Sequence, residues 1–323
     1  PGTGELVAQA IDAAIKSTSI HPGSFSLIQG GNREVGTALV QHPSIKAVGF
    51  TGSLGGGRAL FNLCASRPEP IPFFGELGSI NPMFLLPNAI RERGDEIAKA
   101  WVASLTMGAG QFCTNPGVVF LVAGAHASQF IEVTKAELEQ IDEQTMLTDG
   151  IAEAFRDGAG EISEVQGVTE IFAERCERRI ATPQVFQVDL ETWKNNERLS
   201  EEVFGPLGVI VLVEKPSDMV EVAKGLSGQL TCTIHLTPAD AAVAAGLVPI
   251  LEHKAGRILA NGFPTGVEVS DTMVHGGPYP ASTNFGATSV GTLSIRRFLR
   301  PVCYQNIPSN LLPKELQSGP ASE

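Results

Sequence analysis

The chain has 323 residues, 43% of them hydrophobic, with 35 glycines, 21 prolines and a formal net charge of −12. That length is enough for two domains of ordinary size, and that hydrophobic content excludes a disordered chain. The acidic balance argues against nucleic acid or an anionic membrane surface as a partner, since both call for a basic face.

Apolar periodicity predicts a helix over 5–16, with Thr3 as its N-cap, and a short strand over 25–28 after the turn His21-Pro22-Gly23. A helix over 33–41, a strand over 46–50, a helix over 53–66 and a strand over 71–74 follow. This alternation with short connections reads as part of a doubly wound parallel sheet. The chain opens Pro1-Gly2-Thr3-Gly4, directly before a helix pattern and without an initiator Met, so the strand preceding that helix is expected outside it.

A second α/β unit follows. Strands are predicted over 83–86, 118–122, 207–213, 231–235 and 257–261, with helices over 95–107, 217–225 and 239–246 and a helix-rich polar stretch over 127–174. The segment 298–307 reads as an extended arm. Cys64, Cys113, Cys176, Cys232 and Cys303 are scattered and form no CxxC pair. That argues against a zinc or dithiol motif and suits free thiols in a reducing, cytoplasmic setting. None of the six histidines stands at metal-ligand spacing from another, so no metal is expected. No apolar run reaches the roughly 20 residues of a membrane helix.

Four segments can carry chemistry. The loop 49–57, Gly-Phe-Thr-Gly-Ser-Leu-Gly-Gly-Gly, ends a strand and opens a helix, which suits a pyrophosphate on the helix N-terminus; a plain Gly-rich turn is the alternative. Glu76 lies among apolar residues and glycines, where desolvation would raise its pKa and make it a general base; a solvated strand-end carboxylate is the alternative. Cys113 follows the turn Gly108-Ala109-Gly110 with small neighbours, so its thiolate can attack a carbonyl, or it is a small buried hydrophobe. In Glu201-Glu202-Val203-Phe204-Gly205-Pro206, a carboxylate can accept from ribose hydroxyls and a ring can pack on a nicotinamide, or the segment is a helix end. His275, in His275-Gly276-Gly277-Pro278, is a loop residue without an assigned role.

In this order, FTGS at 50–53, GELG at 75–78, GQFC at 110–113, EEVFGP at 201–206 and Asn261-Gly262 resemble the aldehyde dehydrogenase superfamily. The stretches PFFGELGSINP, GQFCTNPG and HGGPYPAS are similar to its α-ketoglutaric semialdehyde (2,5-dioxopentanoate) dehydrogenase branch. The resemblance implies an α/β fold with a partial doubly wound cofactor domain over 1–78, a catalytic domain over 79–297 and an oligomerisation arm and tail over 298–323. It implies Cys113 as nucleophile and Glu76 as general base. Gly52 and Ser53 would meet the pyrophosphate of NAD or NADP, Glu202 the nicotinamide ribose, and Phe204 the nicotinamide. An aldehyde would be the substrate and a homodimer or homotetramer the assembly.

The chain departs from the family pattern at Gly55, where many members have an acidic residue, and at Gly78-Ser79-Ile80, where many have Gly-Gly-Lys. The family also takes an oxyanion-binding Asn and an adenosine-binding Lys from segments before Pro1. Residues 1–323 alone are therefore expected to show negligible turnover. An inactive oligomer-forming module and a coenzyme-A-acylating relative are the alternatives, and retention of Glu76 suits hydrolysis better than acyl transfer to a thiol.

Overall fold

The computed structural model describes residues 2–174 and 176–317. Two parallel arrangements organise them. The smaller pairs β1 (Val48–Thr51) with β2 (Phe73–Glu76), in the register Thr51 to Glu76. Helices α1 (Gly2–Ser17), α2 (Arg33–Gln41) and α3 (Leu54–Ala65) accompany it. Helix α1 begins at Gly2, so Thr3 lies inside the helix and not at its cap. Residues 25–28 form no strand: Phe25 has extended backbone, but β propensity without a partner ladder makes no sheet.

The larger sheet has seven strands in the order β11-β10-β3-β4-β9-β8-β6. These are β3 (Met83–Leu85), β4 (Val118–Val122), β6 (Thr169–Ala173), β8 (Gln184–Asp189), β9 (Leu207–Val213), β10 (Gln229–His235) and β11 (Ala255–Ala260). All neighbours are parallel except the edge strand β6, which runs antiparallel to β8. A separate antiparallel pair joins β5 (Gln144–Thr145) to β7 (Ile180–Ala181).

The inner strands are near-continuous apolar runs because both faces are covered. Alternate side chains divide them. Met83, Leu85, Val119, Leu121 and Ile210 pack under α4 (Pro87–Thr106), which presents Ile97, Ala98, Trp101, Val102 and Leu105 at helical spacing. Phe84, Phe120, Val209 and Val211 face the opposite side, where Phe120 stacks on Phe84 at 5.2 Å and meets the Trp193 ring edge-on at 5.3 Å. The indole Nε1 of Trp101 donates to the Pro116 carbonyl at 2.9 Å, which satisfies a buried donor and fixes the turn entering β4. Helix α4 starts at Pro87, eight residues before the sequence pattern shows it: its backbone breaks at Arg93 (φ −138°, ψ 24°), which parts the first turns from the apolar stripe that follows.

Packing around the smaller sheet is thin. Helix α1 buries no residue, α2 only Val40, and α3 only Gly57 and Cys64. The segment 299–307 has no regular structure and exposes Leu299, Val302, Tyr304 and Ile307. No helix among the described residues is long and apolar enough to cross a membrane.

At the end of β10, His235 is 1% exposed and packs against Phe263, with ring centroids 5.1 Å apart. Burial pushes its pKa down to about 4, and the charge of Arg93 adds to that. The unfolded imidazole titrates near its ordinary value of about 6.5, so between these values the unfolded state binds the extra proton. Stability therefore falls as the pH drops through this window, by up to about 3 kcal/mol from this group. In urea titrations, His235→Phe is expected to reduce the stability lost on acidification by about that amount. Equal pH slopes in parent and variant would remove His235 from the acid response.

Candidate active site

The site forms between the C-terminal ends of β1 and β2 and the N-terminal ends of β3, β4, β9 and β10. Glu76 is the last residue of β2 and is 5% exposed. Its carboxylate faces a loop that folds back along β2: Leu77 N donates to the Ala281 carbonyl at 2.9 Å, and Thr283 N donates to the Gly75 carbonyl at 2.9 Å. This return brings in His275, 3% exposed and 199 residues away in sequence. Its Nε2 lies 3.0 Å from Glu76 Oε1 and 3.2 Å from Cys113 Sγ. Ser289 Oγ donates to the second Glu76 oxygen, Oε2, and lies 3.1 Å from the His275 carbonyl.

Cys113 sits on the loop between α4 and β4. Asn81, in the left-handed region at φ 46°, holds that loop with one amide group. Its Nδ2 donates to the carbonyls of Cys113 at 2.9 Å and Asn115 at 3.0 Å. Gln229, the first residue of β10, accepts at Oε1 from the amides of Ile80 at 2.9 Å and Asn81 at 3.2 Å.

Burial pushes the Cys113 thiol up to about 12, and the charge and hydrogen bonding of Glu76 add to the rise. A thiolate partly withdrawn from water beside a carboxylate is doubly unfavourable. For Glu76 the sequence expectation is corrected. Burial acts to raise its pKa, but the hydrogen bond and attraction from His275 and the Ser289 hydroxyl outweigh it, and the carboxyl is held below its usual range. The apolar flanks in sequence show the desolvation and conceal the donors that arrive from 199 and 213 residues away.

Glu202 lies behind this cluster, with a carboxylate oxygen against Gly78. Burial pushes its pKa up to about 7, opposed by the Ser79 amide and assisted by the negative charge of Glu76. Phe204, on the same loop, is 37% exposed. A cleft lined by Phe112, Asn115, Glu202, Val203 and Phe204 joins this loop to that of Cys113.

Gly52 and Ser53 occupy the turn from β1 into α3. The Gly52 amide donates to the Glu76 carbonyl at 3.1 Å, so it fixes the base strand and is not a free donor. Ser53 is the N-cap of α3, its Oγ accepting from Gly56 N at 3.3 Å. The amides of Leu54 and Gly55 precede the first helical bond, from Gly57 N to the Ser53 carbonyl, and Gly55 faces open space.

The structure thus brings Cys113 and Glu76 together, sets Glu202 and Phe204 beside them, and ties Gly52 and Ser53 to the other side of Glu76. Sequence reasoning left His275 without a role and did not single out Asn81, Gln229 or Ser289. Asn81 and His275 stood inside conspicuous segments, but only the return loop and the start of β10 give them partners.

The sequence profile of the aldehyde dehydrogenase family matches residues 1–284. The chain belongs to the aldehyde dehydrogenase family. It is 48% identical over 320 residues to alpha-ketoglutaric semialdehyde dehydrogenase 2 of Azospirillum brasilense, covering 98% of this chain and 61% of that relative. It is 45% identical over 324 residues to alpha-ketoglutaric semialdehyde dehydrogenase of Acinetobacter baylyi, covering 98% of this chain and 60% of that one. The chain therefore spans about three fifths of the length of these family members. Among solved structures, glyceraldehyde-3-phosphate dehydrogenase GapN of Methanocaldococcus jannaschii, complexed with NADP, shares the fold. The TM-score is 0.72 at 20% identity, over 87% of this chain and 60% of that one.

Gly110 tests how tightly the Cys113 loop is built. It has φ 63°, and a Cβ there would fall 2.3 Å from the Gly205 backbone, on the loop that carries Glu202 and Phe204. Left-handed strain and overpacking each cost roughly 1–3 kcal/mol, so Gly110→Ala is expected to destabilise by about 3 kcal/mol and to part the two loops. An unchanged denaturation midpoint would show that the loops yield freely.

Proposed function

We propose that the protein serves NAD(P)-dependent oxidation of an aldehyde to its carboxylic acid, with 2,5-dioxopentanoate as substrate. The observation that carries this reading is Cys113 Sγ, 3.2 Å from the imidazole nitrogen that also contacts the Glu76 carboxylate. The likeness to the two semialdehyde dehydrogenases supports the substrate.

The residues present fit a dinucleotide. The amides of Leu54 and Gly55 at the open N-terminus of α3 suit a pyrophosphate, with Ser53 and Gly52 shaping the turn. The Glu202 carboxylate suits ribose hydroxyls, and the partly exposed Phe204 ring suits the nicotinamide face. The nicotinamide, when bound, supplies the hydride acceptor.

The thiol of Cys113, with a pKa of about 12, does not ionise freely near neutrality. Its proton leaves to the Glu76 carboxylate as sulfur adds to the aldehyde carbon, since the His275 nitrogen within reach already donates to that carboxylate. Sulfur addition leaves an oxyanion on the former aldehyde carbon, and its collapse to a thioester on Cys113 would release the hydride that a bound nicotinamide would accept. Glu76, held as a carboxylate, then takes a proton from the water that hydrolyses that thioester. His275 and Ser289 keep both carboxylate oxygens oriented. The proposed division is cofactor-domain residues 1–78, catalytic residues 79–297 and an oligomerisation arm over 298–323. The exposed apolar side chains of 299–307 support assembly into a homodimer or homotetramer. The free cysteines support a cytoplasmic setting.

In a protein spanning the full length of the relatives, Cys113→Ala is expected to abolish NAD(P)H formation from 2,5-dioxopentanoate while leaving cofactor binding measurable. Glu76→Gln is expected to give one burst of NAD(P)H and then stall at the thioester. Near-normal kcat in Cys113→Ala overturns the nucleophile, and steady turnover without a plateau in Glu76→Gln overturns the hydrolytic base. No added coenzyme A should be required.

For Glu202→Gln, cofactor binding is expected to weaken by about 1–3 kcal/mol, the scale of a charge-assisted hydrogen bond, with slower hydride transfer. An unchanged Kd together with unchanged single-turnover hydride transfer would separate Glu202 from the cofactor.

A further inference from the structure

We propose that Cys113, His275 and Glu76 form a zinc site whose occupancy reversibly blocks the nucleophile. The block rests on the reading of Cys113 as that nucleophile; the metal site itself rests on geometry alone.

The three side chains offer one sulfur, one imidazole nitrogen and one carboxylate oxygen, and these atoms all lie within 4.8 Å of one another. Nε2 of His275 is 3.2 Å from Sγ and 3.0 Å from Oε1. Bond lengths of about 2.3 Å to sulfur and about 2.0–2.1 Å to nitrogen and oxygen put the donor–donor edges of a tetrahedral zinc site near 3.3–3.6 Å. The two edges from Nε2 need to open by only a few tenths of an ångström, and the third, from Sγ to the carboxylate, lies within 4.8 Å. One nitrogen can place at most one proton between itself and its two partners, so it cannot serve both fully, whereas a cation among them engages all three.

The donor set also discriminates. Thiolate and imidazole suit zinc and exclude magnesium and calcium, which take oxygen ligands. Three protein ligands leave a fourth position for water. Glu76 is held at its other carboxylate oxygen, and Cys113 and His275 are fixed through their backbones. Ser289 Oγ donates to the other Glu76 oxygen, Asn81 Nδ2 holds the Cys113 carbonyl, and Thr288 Oγ1 accepts from the His275 amide at 3.0 Å. Binding breaks the S–H bond and forms S–Zn; the proton passes to solvent and nothing is oxidised or reduced. The sulfur lone pair then belongs to the metal and cannot add to a carbonyl. Separations of 162 residues from Cys113 to His275 and 199 from Glu76 to His275 conceal this set from any reading of ligand spacing along the chain.

The test uses the 323-residue chain with zinc or cobalt chloride and no substrate. Calorimetry is expected to show one zinc per chain. Cobalt should give a sulfur-to-metal charge-transfer band that Cys113→Ser removes. Saturating zinc should slow iodoacetamide alkylation of Cys113, followed by peptide mass, at least about 10-fold, and EDTA should restore it. His275→Phe should weaken zinc binding by about 10–100-fold or more. Absence of zinc binding, binding that leaves Cys113 alkylation unprotected, a cobalt band that survives Cys113→Ser, or equal affinity in His275→Phe would each overturn the site. Aldehyde oxidation that persists in Cys113→Ala at full length, with zinc protection intact in the parent, overturns the nucleophile and its block and leaves the metal site standing.

Discussion

The carboxamide of Asn81 sits where three chain segments cross, and the geometry of the site depends on its being fully paired. Its Nδ2 holds the carbonyls of Cys113 and Asn115, its Oδ1 accepts from Thr231 Oγ1 at 3.0 Å, and its backbone amide donates to Gln229. The residue is completely buried, and an unpaired polar group there would cost roughly 1–3 kcal/mol. The network therefore leaves the Cys113 loop one low-energy placement relative to β3 and β10. That placement sets the sulfur at hydrogen-bond distance from His275.

Around this anchor the electrostatics are divided unequally. Glu76 receives the His275 and Ser289 donors and stays a carboxylate; Cys113 receives partial burial and a negative neighbour and stays a thiol. Glu202, buried with one opposing amide, lies between these extremes at about 7. One pocket thus holds three acidic groups with widely separated proton affinities, and His275 stands between the first two. Such separation lets a thiol and a carboxylate share a small volume without both being charged at rest.

The site also joins two sheets that are packed differently. The seven-stranded sheet beneath Cys113, Glu202 and Gln229 is packed on both faces, while the helices beside β1 and β2 bury few side chains. Glu76 connects the two: its strand pairs with β1, its carbonyl accepts from Gly52, and its carboxylate reaches His275.

What was legible in the sequence was what local patterning controls. Uninterrupted apolar runs marked β4 and β9, the Gly-rich loop 49–57 marked the start of α3, and the small-residue turn before Cys113 marked a thiol that a substrate could approach. The unpaired segment 25–28 and the early start of α4 were not legible, because strand formation needs a partner and the backbone break at Arg93 parts the first turns of α4 from the stripe that follows. His275 shows the division most clearly. As a residue in the stretch His275-Gly276-Gly277-Pro278 it has no chemistry of its own, and the same sequence on another loop would be solvent-facing. The return of the chain along β2 buries it against Glu76 and Cys113. The direction of the Glu76 shift follows from that contact: desolvation is written in the local sequence, but the hydrogen bonds that outweigh it come from residues that only the folded chain brings near.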